Sequence, residues 1–368
     1  MLNRWLYGTK QAGLQWCKRM QTFLTSLGFT QSAEESCLYV HHEFLESGSV
    51  LTTFALVYVD DILIAADKQI SIDFVYNSLT SEFGDVRRKT GNFTYLSIFV
   101  QQRPGYISLT MPGYVDKMLE RLDAKDMRPV PSPFFAKEVE NDISEATNAE
   151  EYLAVVGLIN YYALNVRPDL LYILSVLAAK CSSPTVYDLS RAMRAVAYVK
   201  GTKHHGLKFY SNSKSPLLIV YADASLHIRS RSGYCLYLNN NSACFFARSV
   251  LQVEFTPALS STEAEYIALF DVSREVVYFR GLLKSIGFEQ PGPTTVFQDN
   301  TSAIAMANGG GSHQRNLHYD LRLHYVRELV RRGTITCKHC PTEAMIADVL
   351  TKTMAITKFT TFSEQLLG

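Results

Sequence analysis

The sequence predicts two or three domains, in which an α+β part is followed by helices and then by an α/β part. Three observations predict this fold class. An apolar run over residues 54–66 is interrupted by Asp60 and Asp61, as in a β-hairpin with acids at its tip. Residues 152–200 carry apolar side chains at helical spacing. From Gly206 onward, short apolar strands alternate with helices, and several strands end in a carboxylate.

The composition is that of a globular protein. A chain of 368 residues is long enough for more than one core, and 47% hydrophobic with 19% charged residues excludes a disordered or fibrous chain. A net charge of +1 indicates no partner by itself. The seven cysteines do not form a disulfide framework, and we expect Cys337 and Cys340 to be buried strand thiols rather than zinc ligands. We recognise no signal peptide or transmembrane segment and expect no membrane partner.

The hairpin at Asp60 and Asp61 is the first candidate site. Before it, Met20 to Leu27 repeat at helical spacing and Gly28 ends that helix; after it, we expect a helix over residues 70–83. Neighbouring carboxylates repel each other unless a cation compensates them, and their hard oxygen ligands match Mg²⁺. The alternative is an Asp-Asp turn that carries no chemistry.

A proline-rich, charged stretch over residues 128–147 predicts a linker. The helices after it carry a basic face that includes Arg191, Arg194 and Lys200. Such a face suits a phosphate backbone, although a solvated helix face explains the same pattern.

The second candidate site consists of four acids, each at a strand end or in a helix beside a strand: Asp223, Glu265, Asp299 and Asp348. We expect Asp348 to lie in a helix over residues 343–352. Acids that converge at one edge of a sheet can hold two divalent ions, which activate a water and stabilise a leaving oxygen. Each acid taken singly is more often a surface charge or a helix cap.

Several motifs, in order, resemble the Pol polyproteins of copia-type LTR retrotransposons. Residues 6–16 (LYGTKQAGLQW) resemble the family's LYGLKQA..W, and YVDD at residues 58–61 resembles the metal-binding hairpin of reverse transcriptases. Residues 94–100 resemble YFLGIEV, with Ser97 in place of its glycine. YADAS, SSTEAEYIAL, QDNTSAIA and IADVLTK resemble the four RNase H motifs of these elements.

The resemblance implies an α+β reverse-transcriptase palm with a helical thumb and connection, followed by an α/β RNase H-like domain. We expect residues 1–127 to be a partial palm and the start of the thumb, and residues 128–205 to be the linker and the helical thumb and connection. The RNase H-like domain is expected at residues 206–354, and residues 355–368 are expected to be a C-terminal tail.

The resemblance also implies roles for single residues. Lys10 would lie near phosphate and Gln11 under the incoming nucleotide. The metal ligands would be Asp60 and Asp61 in the palm and Asp223, Glu265, Asp299 and Asp348 in the RNase H-like domain, with Mg²⁺ or Mn²⁺ as the ion. The partners would be a primer-template with dNTPs, an RNA/DNA hybrid and the rest of the Gag and Pol polyprotein, in a cytoplasmic virus-like particle or in the nucleus.

The family's palm carries a further carboxylate in a DVKTAFL-like motif, which the resemblance places before Met1. We therefore expect that this chain alone does not extend a primer, and that hydrolysis of RNA in an RNA/DNA hybrid is its surviving activity. A different class stays open, namely an inactive retrotransposon remnant that at most binds nucleic acid.

Overall fold

A computed structural model describes residues 9–135, 142–211, 216–226, 230–239, 243–252, 258, 260–309 and 317–368, with the backbone alone for residues 317–320. The chain divides into two compact units. Unit 1 comprises residues 1–91 and 278–289, and unit 2 comprises residues 92–277 and 290–368. None of the described helices is long and apolar enough to cross a membrane.

Among the described residues of unit 1, four antiparallel strands in the order β1-β2-β3-β4 form a sheet. The elements are α1 (Lys10–Ser26), β1 (Thr30–Gln31), β2 (Leu38–Phe44), β3 (Val50–Tyr58), β4 (Asp61–Ala66) and α2 (Gln69–Phe83). The core forms where the apolar faces of the two helices pack on β3, and it contains Met20, Leu24, Ala55, Val75 and Leu79.

Unit 2 contains two sheets among its described residues. The first is antiparallel, in the order β5-β6-β7-β8. The second has the order β11-β10-β9-β12-β13; β9, β10 and β11 are antiparallel, whereas β12 runs parallel to both β9 and β13. The strands are β5 (Phe93–Tyr95), β6 (Ile98–Arg103), β7 (Tyr106–Thr110), β8 (Leu207–Tyr210), β9 (Leu218–Ser225), β10 (Arg231–Leu238), β11 (Phe246–Leu251), β12 (Thr294–Gln298) and β13 (Ile335–His339).

Helices accompany both sheets of unit 2. They are α3 (Pro112–Arg121), α4 (Ala149–Val166), α5 (Leu171–Ala178), α6 (Val186–Gly201), α7 (Ser261–Ser285), α8 (Thr301–Ala307), α9 (Leu317–Arg331) and α10 (Ile356–Leu367). Residues 261–277 of α7 belong to unit 2. A continuous apolar core joins helices α3 to α6 with β10 and α10.

This architecture confirms the predicted fold class. The predicted domain boundaries do not coincide with the two units, because the helices of residues 149–201 share their core with the second sheet. Those boundaries therefore stay a prediction. Residues 136–141 of the predicted linker lie outside the described residues, and on either side of them Phe134 is buried and Ala146 forms a bridge with Thr185.

One local prediction was wrong. The expected helix over residues 343–352 consists of two short 3-10 helices, Thr342–Ala344 and Ile346–Leu350. Met345 lies between the two turns with an extended backbone (φ −76°, ψ 90°), and this conformation interrupts a continuous helix. Residues 355–368, predicted as a C-terminal tail, contain the helix α10, which buries Phe359, Phe362 and Leu366.

Candidate active site

Three carboxylates meet at one edge of the five-stranded sheet. Asp223 lies near the end of β9, Asp299 directly follows β12, and Glu265 lies in the first turns of α7. Because β9 and β12 are parallel neighbours, their carboxyl ends lie at the same edge. Each residue offers one oxygen, and these oxygens lie within 4.8 Å of one another.

Hydrogen bonds from the backbone and from one side chain hold this arrangement. The amide of Ala224 donates to Glu265 Oε2 at 2.9 Å, which fixes Glu265 beside the residue that follows Asp223. The buried Gln298 side chain accepts from the amides of Asp299, at 2.8 Å, and Asn300, at 3.3 Å. Thr342 Oγ1 donates to Asp299 Oδ2 at 3.0 Å.

The site is electrostatically costly without a cation. Asp223 and Glu265 are only 1% and 6% exposed. Burial raises the pKa of Asp223 above its usual range; Lys352 opposes this shift, whereas the nearby carboxylate of Asp348 adds to it. Burial also raises the pKa of Glu265, and Asp223 and Asp299 raise it further. Hard oxygen donors that disfavour one another's charge fit a divalent cation, which would be held by Asp223, Glu265 and Asp299.

Asp348, the fourth predicted acid, is positioned differently. It is 1% exposed, and its carboxylate faces two lysines: Lys352 Nζ lies 2.7 Å from Oδ1 and Lys358 Nζ lies 2.9 Å from Oδ2. Lys352 Nζ is also 3.8 Å from Asp223 Oδ2. Among the described side chains, the group that can share an ion therefore contains three of the four predicted acids, and Asp348 adjoins it through a lysine.

Sequence reasoning missed the residues that support these acids. Thr351 donates a hydrogen bond from its hydroxyl to Asp223 Oδ2. Gly233 pairs with Asp223 across the strands, and a Cβ there would lie 2.5 Å from Thr351 Cγ2, so only glycine lets this segment approach. Lys352 follows Asp348 by four residues inside the IADVLTK motif, and that spacing was a usable signal.

The hairpin of unit 1 has the predicted form. Tyr58 pairs with Asp61 at the ends of β3 and β4, and Asp60 and Asp61 are both exposed at the tip. Val59 has a φ of 50°, and its carbonyl accepts a hydrogen bond of 2.6 Å from Trp16 Nε1. The chain thus presents two adjacent carboxylates to solvent. Their role in metal binding stays a prediction.

The predicted nucleic-acid-binding residues are of two kinds. Lys10 and Gln11 are exposed in the first turn of α1, although residues 6–8 of the same motif lie outside the described residues. The three basic residues of α6 contact their own unit. Arg194 Nε donates to the carbonyl of Phe134 at 2.5 Å, Lys200 Nζ donates to that of Met127 at 2.7 Å, and Arg191 lies 3.7 Å from Asp188.

Arg194 and Lys200 therefore already donate hydrogen bonds to partners within unit 2. Whether Arg191, Arg194 and Lys200 also bind phosphate stays a prediction. As expected from the sequence, Cys337 and Cys340 are buried, and both are free thiols.

Part of the chain matches a known family, and nearly the whole chain is similar to known polyproteins. Residues 1–136 match the family model of reverse transcriptase (RNA-dependent DNA polymerase). The retrovirus-related Pol polyprotein from transposon RE2 of Arabidopsis thaliana is 28% identical over 99% of this chain and 25% of its own length. The retrovirus-related Pol polyprotein from transposon TNT 1-94 of Nicotiana tabacum is 26% identical over 97% of this chain and 27% of its own length. The crystal structure of LC11-RNase H1 in complex with an RNA/DNA hybrid is 14% identical, with a TM-score of 0.28, over 36% of this chain and 92% of that one.

The family match and the mixed α/β fold fit a reverse-transcriptase region followed by an RNase H-like domain. Within that class, the chain is similar over nearly its whole length to Pol polyproteins of retrotransposons. It spans about a quarter of the length of these polyproteins.

Proposed function

We propose that unit 2 hydrolyses the RNA strand of an RNA/DNA hybrid and that Mg²⁺, or Mn²⁺ in its place, is bound by Asp223, Glu265 and Asp299. The observation that carries this proposal is the convergence of three carboxylate oxygens within 4.8 Å at one sheet edge. The similarity to retrotransposon Pol polyproteins supports the substrate, because reverse transcription produces such hybrids.

The bound ions would supply an activated water and would stabilise the leaving oxygen of the phosphodiester. The protein's own residues fix the positions of the ligands. The amide of Ala224 orients Glu265, and the hydroxyls of Thr351 and Thr342 orient Asp223 and Asp299. We propose that the hybrid is recognised by its A-like shape and its 2′-hydroxyl groups rather than by base sequence.

Unit 1 supports a second proposal, because residues 1–136 match the reverse-transcriptase model and the hairpin exposes two adjacent acids. We propose that Asp60 and Asp61 are metal ligands of the palm and that Lys10 and Gln11 contact the primer-template or the nucleotide. The surrounding Pol and Gag segments would be the partners of this unit.

The hydrolysis proposal is tested with Asp299→Asn in the full chain. The substitution keeps the volume of the side chain and removes its charge, so the ion is held less well. We expect Mg²⁺-dependent cleavage of a labelled hybrid to slow by about a hundredfold or more. An ion that is held less well positions the reacting atoms less well, and a misplacement of about 1 Å costs about a hundredfold in rate. Cleavage products are measured on a sequencing gel.

The matched control is Asp116→Asn, which removes a carboxylate of unit 2 that is 59% exposed and pairs with Lys203. It is expected to cleave at the wild-type rate. A folded wild-type chain that cleaves no hybrid with either Mg²⁺ or Mn²⁺, or an Asp299→Asn variant as active as wild type, would favour the inactive remnant instead.

A further inference from the structure

A lysine lies inside the group of acids. Lys352 Nζ is 2.7 Å from Asp348 Oδ1 and 3.8 Å from Asp223 Oδ2, so its positive charge lies between two carboxylates that are each 1% exposed. The lysine side chain itself is 42% exposed. It can therefore leave for solvent while the two carboxylates stay where they are.

The second lysine at Asp348 is placed differently. Lys358 Nζ contacts the other oxygen, Oδ2, at 2.9 Å, and it lies 5.0 Å from the centre of the Phe362 ring and 3.4 Å from the carbonyl of Thr342. No ion pair joins Lys358 to Asp223 among the described residues. Lys358 thus compensates the charge of Asp348 without contacting Asp223, whereas Lys352 lies between Asp348 and Asp223.

The position of Lys352 is built into the fold. The 3-10 helix that carries Asp348 approaches β10 closely because Gly233 has no side chain there. Thr351 then reaches Asp223 with its hydroxyl, and the next residue directs its ammonium group to the same carboxylate. A chance surface contact would not need this close approach.

We propose that the ammonium group of Lys352 takes the place of a second divalent cation between Asp223 and Asp348, and that a second ion binds only when it displaces this group. The inference rests on the proposed function, because it assumes that the first ion binds at Asp223, Glu265 and Asp299. Lys352 is accordingly a positioning residue that sets the order in which two ions are bound. The first ion leaves the Lys352–Asp348 pair in place, and the second ion breaks it.

The experiment compares Lys352→Met with Lys358→Met in the full chain. Methionine keeps much of the length of the side chain and removes its charge. Binding of Mn²⁺ alone, without nucleic acid, is measured by calorimetry and by the electron paramagnetic resonance signal of the free ion. In Lys352→Met we expect the second ion to bind about tenfold or more tightly than in wild type, because no cation has to be displaced.

The control separates position from charge. Lys358→Met removes the same charge from the same carboxylate, and we expect it to change the affinity for the second ion less than about threefold. Lys352→Gln is expected to behave like Lys352→Met, and thermal unfolding shows whether each variant is folded. Equal effects of the two methionine variants, or an unchanged second affinity in both Lys352 variants, would overturn the inference while the first ion still binds. A wild-type chain that binds no Mn²⁺ would instead contradict the proposed function.

Discussion

At the scale of single residues, the candidate site couples protons to folding. Asp223 and Glu265 are buried beside each other's charge, and burial is the largest cause of their raised pKa values. The folded chain without metal therefore holds protons that the unfolded chain releases above about pH 4. This contribution to stability is fully present below that pH and is lost as the pH rises through the raised pKa values.

Glu265→Gln tests this coupling, because the amide cannot ionise. As the pH rises from 5 to 8 without metal, we expect the free energy of unfolding of wild type to fall relative to the variant, by at most about 1.4 kcal/mol per pH unit for each proton. Urea unfolding measures it, and saturating Mg²⁺ should restore wild-type stability at pH 8. The control Glu263→Gln lies in the same helical turn but outside the cluster, and its free energy of unfolding should change with pH as that of wild type does. If the free energy of unfolding of Glu265→Gln also follows wild type, the coupling is refuted.

At the scale of elements, the hairpin of β5 and β6 has an unfavourable turn. Leu96 and Ser97 connect the two strands with φ values of 47° and 67°, a conformation in which a Cβ is crowded. The sequence resembles a family motif that has glycine where Ser97 stands. The turn keeps its left-handed form because the flanking strands pair, Tyr95 with Ile98, and the Leu96 carbonyl accepts a hydrogen bond from Tyr161 at 2.9 Å.

Ser97→Gly is expected to raise the free energy of unfolding by about 1 kcal/mol, because glycine adopts a positive φ without steric cost. Ser97 is exposed, so the substitution leaves no cavity. Urea unfolding of unit 2 provides the measurement. The control, Ser182→Gly, is at an exposed position without a positive φ and should be neutral or slightly destabilising. A Ser97→Gly variant that is less stable than wild type would show that the turn is not strained.

At the scale of the whole molecule, each unit has its own core, and the core of unit 2 crosses a predicted domain boundary. Phe359 of α10 packs against Phe134, at 5.0 Å between ring centres, and against Tyr198 of α6, at 5.6 Å. The same core includes Cys235 and Tyr237 of the five-stranded sheet. The helices of residues 149–201 and the sheet that carries the acids are therefore expected to unfold together.

Phe359→Ala tests this expectation. It removes a side chain that is 1% exposed, and we expect a loss of about 3–5 kcal/mol of stability. Unfolding is followed both by circular dichroism and by the release of Mn²⁺, and the two transitions should shift together. Thr360→Ala, at the adjacent exposed position, should shift neither. If Phe359→Ala releases Mn²⁺ at the same urea concentration as wild type does, the sheet folds without α10.

Local pattern in the sequence determined much of this protein. The hairpin with Asp60 and Asp61 at its tip follows from two apolar runs around a polar turn, which is a short-range signal. The strands that carry Asp223 and Asp299 follow from short apolar runs that end in an acid. Parallel neighbours end at one edge, so Asp223 and Asp299 converge once β9 and β12 pair, and that pairing was decided by the tertiary structure.

Only the tertiary structure decided what surrounds those acids. The lysine between Asp348 and Asp223, the glycine that admits Thr351, and the helix α10 over a core shared with α6 all depend on contacts between residues far apart in the chain. Helical and strand periodicity report which face of an element is apolar, but they do not report which partner that face meets. The placement of charges in a buried site depends on those partners, because burial and distance set the strength of each interaction.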